Sequence, residues 1–302
     1  MNVTIFLVRL LVLAVIFING WTDAPNAIAT AVGSGALTFR RGVWLAAACN
    51  FLGTFLSAVF FPAVAATMSD LIVFPGGTWA ALTALCAAML SILLWAVLAW
   101  RFGLPTSESH ALMAGLCGAA LALGGQAARF NSGAWARVIA GLFLSVVAGA
   151  LAGRWACLWL RKRRCSAARW QRRAAGLMAA LHGAQDGQKF MALLLLADSL
   201  GDAEPFSPLT LAVLCASVMA LGTALGGKPI VEKVGTELTA LTPSDGLAAD
   251  LGAGVCLLGC SLLGLPVSTT HAKVAAVCGV GLTHGQDSVS LRPVLEIVSA
   301  WA

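Results

Sequence analysis

Apolar runs long enough to cross a hydrocarbon core as helices, which takes about 20 residues, follow one another along the chain, with short polar islands between them. Residues 3–18 are apolar apart from Thr4 and Arg9 and lead straight into Asn19, Asp23 and Asn26. No small-residue cleavage site follows, so this stretch is expected to stay as a first span and not to leave as a signal peptide. Gly20 and Pro25 predict a break in it, with small residues continuing to Gly33 and Gly35 before Arg40-Arg41 ends the element. Residues 42–67 and 78–100 predict full spans separated by a turn at Pro75-Gly76-Gly77. Residues 111–123 are too short to span and predict a re-entrant segment, and 134–160 predict another span. In the second half, a helix over 176–197 carries His182, Gln185, Asp186, Gln188 and Lys189 and is expected to be broken there. Spans follow at 208–225 and 247–263, the latter with Asp250 near its start. Between these two spans, 230–241 predicts a surface helix; a second short segment at 272–282 comes after them. The counterpart of 134–160 is only the stub 291–302.

The islands recur. G-L-P-x-S-x-[ST]-H stands at 103–110 and again at 264–271, Asn19-Gly20-Trp21-Thr22-Asp23 corresponds to His182-Gly183-Ala184-Gln185-Asp186, and Leu52-Gly53-Thr54 to Leu221-Gly222-Thr223. The offsets are 161, 163 and 169 residues, so the chain reads as a duplication with halves at 1–160 and 176–302. Composition agrees with a polytopic all-α membrane protein: 59% of residues are hydrophobic and 11% charged, against about 25% charged in soluble domains. No period-two alternation suggests a barrel. Nine cysteines, mostly in apolar runs and without a C-x-x-C pair, read as small buried residues, with no disulfide or metal expected.

The net charge of +6 comes largely from residues 161–173, which hold Arg161, Lys162, Arg163, Arg164, Arg169, Arg172 and Arg173 and no acid. Beside two spans this is the positive-inside signal, which places a loop over 161–175 in the cytoplasm. It is too short and too membrane-flanked for nucleic acid.

An ionised side chain at membrane depth costs about 2.5–3.5 kcal/mol on insertion scales and usually marks an ion or substrate path. Asp23 and Asp186, equivalent in the two halves and each expected in a broken helix, fit a transporter with its site where the halves meet. In the G-L-P stretches, proline suits a first helical turn and Ser or Thr caps free N–H groups. Half-helices starting there would aim dipoles, N–H groups and hydroxyls at an anion. His110 and His271 would relay protons or donate hydrogen bonds. A serine protease would need its nucleophile and oxyanion site only once, which the duplication speaks against. A passive anion channel would use similar donors without a coupling ion.

These motifs, with His182-Gly183-Ala184-Gln185-Asp186-Gly187-Gln188-Lys189 and Leu241-Thr242-Pro243, resemble the inorganic phosphate transporter (PiT) family over nearly the whole chain. The resemblance implies inverted-topology repeats, about ten membrane-embedded segments, an inner-membrane location and phosphate symport driven by H⁺ or Na⁺, with no cofactor and no enzymatic activity. It assigns phosphate, bare or as a metal–phosphate complex, to Thr106, Ser107, Ser109, Gln185, Ser268, Thr269 and Thr270. It assigns coupling to Asn19, Asp23, Asn26, Asp186, Lys189, His110, His271 and Asp250. A sulfate permease of the same fold is the alternative; phosphate keeps a hydrogen-bond donor at neutral pH and sulfate does not, so carboxylates beside the anion favour phosphate. Gln185 replaces the asparagine of many relatives and keeps a donor and an acceptor. Asn50 stands where the sodium-coupled eukaryotic branch is acidic, which leans toward bacterial, often proton-coupled members. Relatives usually continue past Ala300-Trp301 with another apolar segment, so either the second half is expected to be incomplete or a partner, a homo-oligomer included, is expected to cover that face beside the bilayer.

Overall fold

The computed structural model describes residues 3–74, 76–124, 129–162 and 166–301; Pro75 of the expected turn and Arg163 and Arg164 of the basic run lie outside them. Helices dominate: α1 (Val3–Thr22), α2 (Asn26–Gly33), α3 (Phe39–Phe60), α4 (Ala63–Ser69), α5 (Thr78–Arg101), α6 (Glu108–Gly124) and α7 (Ser132–Leu160). After these come α8 (Ala167–Leu200), α9 (Pro208–Leu225), α10 (Lys228–Glu232), α11 (Pro243–Leu262), α12 (Thr269–Gly281) and α13 (Leu291–Ser299). A two-residue antiparallel pairing joins Ile72–Val73 to Arg129–Phe130. Among the described residues, six stretches are long and apolar enough to cross a membrane. Large apolar side chains such as Leu94, Phe143, Leu151 and Trp155 point outward, as expected where the surroundings are lipid.

Four sequence expectations need correction. Helix α8 is not broken at Asp186: it runs unbroken for 34 residues. The first island has Pro25 two residues after Asp23, which removes an N–H and stops the ladder; after Asp186 come Gly187, Gln188 and Lys189, all able to donate. The basic segment is less of a loop than expected, because Arg169, Arg172 and Arg173 already lie in the first turns of α8. The span expected over 42–67 ends at Phe60 and, past Pro62, restarts as α4. Arg40 and Arg41 begin α3 and do not close the helix before it.

Two apolar clusters organise the interior, and α8 threads both. Phe190–Leu194 packs with α1, α4, α5, α6 and α9. Ala174–Leu181 packs with α2, α3, α11 and α12. The polar stretch His182–Lys189 falls between them. The same holds for α1 and α2: Val8–Ile16 belongs to the first cluster and Ala27–Ala31 to the second, with Asn19–Asn26 between. A buried polar layer therefore separates two cores. Close backbone approach tightens it, as small residues allow between membrane helices. A side chain at Gly53 of α3 would run into the backbone carbonyl of Ala180 on α8.

Candidate functional site

Both G-L-P stretches are built alike. In each, glycine takes a left-handed conformation (φ +66° at Gly103, +63° at Gly264) and ends the preceding helix. The amide of Leu104 donates to Ala99 and that of Gly103 to Trp100, while Leu265 donates to Cys260 and Gly264 to Ser261. This double bond pattern is a Schellman cap. Pro105 and Pro266 then sit in extended lead-ins and not in the first turn as expected, and serine starts the next helix. Ser107 Oγ accepts from the His110 amide (3.3 Å), and Ser268 Oγ from the His271 amide (3.1 Å). The two starts, α6 from the first core and α12 from the second, meet at the polar layer: Ser109 Oγ donates to the Val267 carbonyl at 3.3 Å.

Two aspartates occupy the centre, both buried. Asp23 Oδ1 accepts from Asn26 Nδ2 at 2.7 Å and from the Thr270 hydroxyl. Asp186 Oδ1 accepts from Lys189 Nζ at 2.6 Å and Oδ2 from Asn19 Nδ2 at 3.2 Å. Thr269 Oγ1 lies 3.2 Å from Asp23 and 3.4 Å from Asp186, so the first turn of α12 joins the two carboxylates. Lys189 is 1% exposed, and Nζ also donates to Ser109 Oγ at 2.8 Å and to the Val267 carbonyl at 2.5 Å. Buried charges persist only with such partners.

His182, which sequence reasoning left without a role, completes the group. Its Nε2 is 3.7 Å from Asp23 and 3.3 Å from Asp186. Its Nδ1 faces Asn50 Oδ1 at 3.1 Å; Asn50 Nδ2 donates to Thr223 Oγ1, which donates on to the Met219 carbonyl. That chain fixes Nδ1 as the donor, so a neutral ring turns a lone pair toward two carboxylates. Either an imidazolium or a cation between these groups resolves the clash. The three ligand atoms lie within 4.8 Å of one another, a spacing that can hold a cation. A second such group, Cys157, Asp245 and His284, lies at the ends of α7, α11 and α12, where Asp245 already closes a capping box with Thr242 and accepts from His284 at 2.9 Å.

Of the expected residues, the structure joins Asn19, Asp23, Asn26, Ser109, Asp186, Lys189, Thr269 and Thr270 in one network. Gln185 braces the α12 lead-in through Ser261 (2.8 Å) and the Leu265 carbonyl (3.3 Å). Ser107 and Ser268 act as caps, and Thr106 is buried in the other lead-in. His110 and His271 lie against each other at a tilt with ring centres 4.7 Å apart, and Trp301 covers His271. Asp250 belongs to a separate buried pair with Lys273, which also donates to Thr30 Oγ1 at 3.0 Å. Lys273, Thr30, Thr22 and Glu108 were not singled out in the sequence. Glu108 accepts a contact from Thr22 Oγ1 at 2.6 Å, which joins α6 to the end of α1.

The profile of the phosphate transporter family matches residues 19–174 and 161–302. A protein of Bacillus subtilis named probable low-affinity inorganic phosphate transporter is 31% identical over all of this chain and 93% of its own length. One of Rhizobium meliloti with the same name is 33% identical over 94% of this chain and 87% of its length. A solved structure titled the sodium-dependent phosphate transporter superposes with a TM-score of 0.84 at 22% identity, covering 99% of this chain and 94% of that one. Its fold is shared. The family is one of transporters, not enzymes, and this membrane protein belongs to the phosphate transporter family.

Proposed function

We propose that the chain imports inorganic phosphate by symport with H⁺ or Na⁺ across the inner membrane. The observation that carries this reading is the bridge of Thr269 between Asp23 and Asp186, 3.2 and 3.4 Å away, at the capped start of α12. An anion-favouring helix start and a cation-favouring carboxylate pair thereby share one site. Phosphate would approach the starts of α6 and α12 through Ser109, Thr269, Thr270 and the Lys189 ammonium, with Thr106, Ser107, Gln185 and Ser268 shaping the lead-ins. The coupling cation would be held by Asp23 and Asp186 with Asn19, Asn26 and His182. His110, His271 and Asp250 would steady the helices that carry these groups.

The names of the relatives speak for phosphate over sulfate, and the buried carboxylates speak for coupling over a passive pore. The broken and short elements of residues 1–160 would pair with those of 176–302 as inverted repeats of about ten embedded segments. The basic run at 161–173 would face the cytoplasm. The deciding experiment is uptake of labelled phosphate into proteoliposomes, with a Na⁺ gradient or a pH gradient imposed separately and sulfate as competitor. Accumulation under one gradient is expected, with sulfate at equal concentration displacing little of it. Asp23→Asn and Asp186→Asn are each expected to abolish accumulation while the protein still inserts. Uptake that ignores both gradients, or normal accumulation by both variants, would refute symport at this site.

A further inference from the structure

Where the last long span of the first half ends, a thiol and an imidazole converge on one carboxylate oxygen. Cys157 lies in the last turn of α7, Asp245 in the first turn of α11, and His284 just after α12. Cys157 Sγ is 3.6 Å from Asp245 Oδ1, and His284 Nε2 is 2.9 Å from the same oxygen. All three ligand atoms fall within 4.8 Å of one another. The other carboxylate oxygen is held apart: Asp245 Oδ2 accepts from the Thr242 hydroxyl at 2.6 Å and the Thr242 amide at 3.1 Å. Outer bonds of this kind orient a metal-binding carboxylate, and here they aim Oδ1 at the sulfur and the ring. A missing C-x-x-C pair speaks against a metal only where ligands are neighbours in sequence. These three stand 88 and 39 residues apart.

Protons now fill the space between them. Arg161 can only donate, and its guanidinium is 3.2 Å from His284 Nδ1; Nδ1 therefore accepts, and Nε2 bears the ring proton that goes to Asp245. The Cys157 thiol faces the same oxygen. A tetrahedral zinc ion, with bonds of about 2.0–2.3 Å, would set the sulfur about 3.5 Å and the ring nitrogen about 3.3 Å from that oxygen. The first spacing is already met. The second needs the ring to move out by a few tenths of an ångström, which His284, 40% exposed, has room to do. Both Cys157 and Asp245 are buried, so His284 is also the side on which an ion enters. Thiolate with imidazole selects a borderline-soft ion over Mg²⁺ or Ca²⁺, which favour oxygen. Thiolate and carboxylate together cancel a double positive charge, so a filled site does not repel Arg161 and the basic segment beside it.

We infer that Cys157, Asp245 and His284 form a binding site for a divalent transition-metal ion of zinc type, with water in the fourth position. On binding, the thiol proton passes to water, the ring proton moves from Nε2 to Nδ1, and the exposed Arg161 side chain turns away. The ion ties the end of α7, in the first half, to α11 and α12 in the second. It sits at the opposite end of α12 from Thr269 and Thr270, and the inference holds whatever drives transport.

The test uses the purified full chain without a histidine tag, stripped of metal. Zinc is titrated in competition with a chromophoric chelator, and cobalt(II) is added to separate samples as a coloured replacement. The wild type is expected to bind zinc and, with cobalt, to show a near-ultraviolet thiolate-to-metal charge-transfer band. Cys157→Ala is expected to lose the band, and His284→Ala to weaken zinc binding at least tenfold. The group of Asp23, His182 and Asp186 has no sulfur, so the band separates the two sites. His284 is partly exposed, so its variant keeps the fold even where Cys157→Ala, in the core, does not. No band in the wild type, a band that survives Cys157→Ala, or equal zinc affinity in wild type and His284→Ala would each overturn the inference.

Discussion

Replacing Lys189 by methionine keeps the length of the side chain and removes its charge. Lys189 spends all three of its ammonium donors, on Asp186 (2.6 Å), Ser109 (2.8 Å) and the Val267 carbonyl (2.5 Å), and it is 1% exposed. Its loss strands the Asp186 carboxylate, which keeps only Asn19 and Thr269 as neutral donors, beside His182. Removing one partner of a buried ion pair costs about 3–5 kcal/mol. At about 2–4 °C per kcal/mol for chains of 150–250 residues, a fall of on the order of 10 °C is expected in detergent, read by a fluorescence-detected thermal shift. The double variant Asp186→Asn/Lys189→Met removes both charges and should recover at least half of that fall, since an apolar or neutral replacement of a whole pair is close to neutral. Neither variant should accumulate phosphate, so stability and transport part company in the double variant. A single variant as stable as wild type, or a double variant no better than the single, would refute the view that this lysine exists to neutralise Asp186.

Three further outcomes follow. Lys273→Met leaves Asp250, already short of a partner at Oδ2, unpaired between α2, α11 and α12; the same thermal assay should show a loss of about 3–5 kcal/mol, largely recovered in Asp250→Asn/Lys273→Met. Gly53→Ala pushes a methyl into the Ala180 carbonyl and should cost about 1–3 kcal/mol. Gly259→Ala, which meets nothing within 4 Å, should be neutral or gain up to about 1 kcal/mol in helix propensity in the same measurement.

What the sequence disclosed was what local chemistry decides. The serines placed to cap made the G-L-P stretches readable as helix starts, whereas the prolines were expected one turn too late and the glycines that end the preceding helices at positive φ were not read. The twofold recurrence of Asp23 and Asp186 pointed to one shared site, and the structure does bring them within reach of one threonine. Pairs formed across the fold were not readable. Glu108 stood inside a G-L-P stretch without a role of its own, and its contact with Thr22 joins residues 86 apart. Lys273 and Asp250 are 23 apart on different helices. His182 was visible within its motif, but its role depends on the chain through Asn50 and Thr223, which no spacing shows.

The failed expectation for α8 bears most on how the site works. Sequence equivalence suggested two broken helices, yet only the one with Pro25 is interrupted. The interruption after Thr22 lets Asn26 start α2 with its side chain on Asp23. The continuous helix does something else: at positions 182, 186 and 189 it stacks an imidazole, a carboxylate and an ammonium on one face, three and four residues apart. One half thus contributes a bent backbone corner with a carboxylate, and the other an unbroken helix that carries the charges. A duplicated sequence can keep the same polar residues in both halves and still divide the labour, because a single proline decides whether the backbone around them bends.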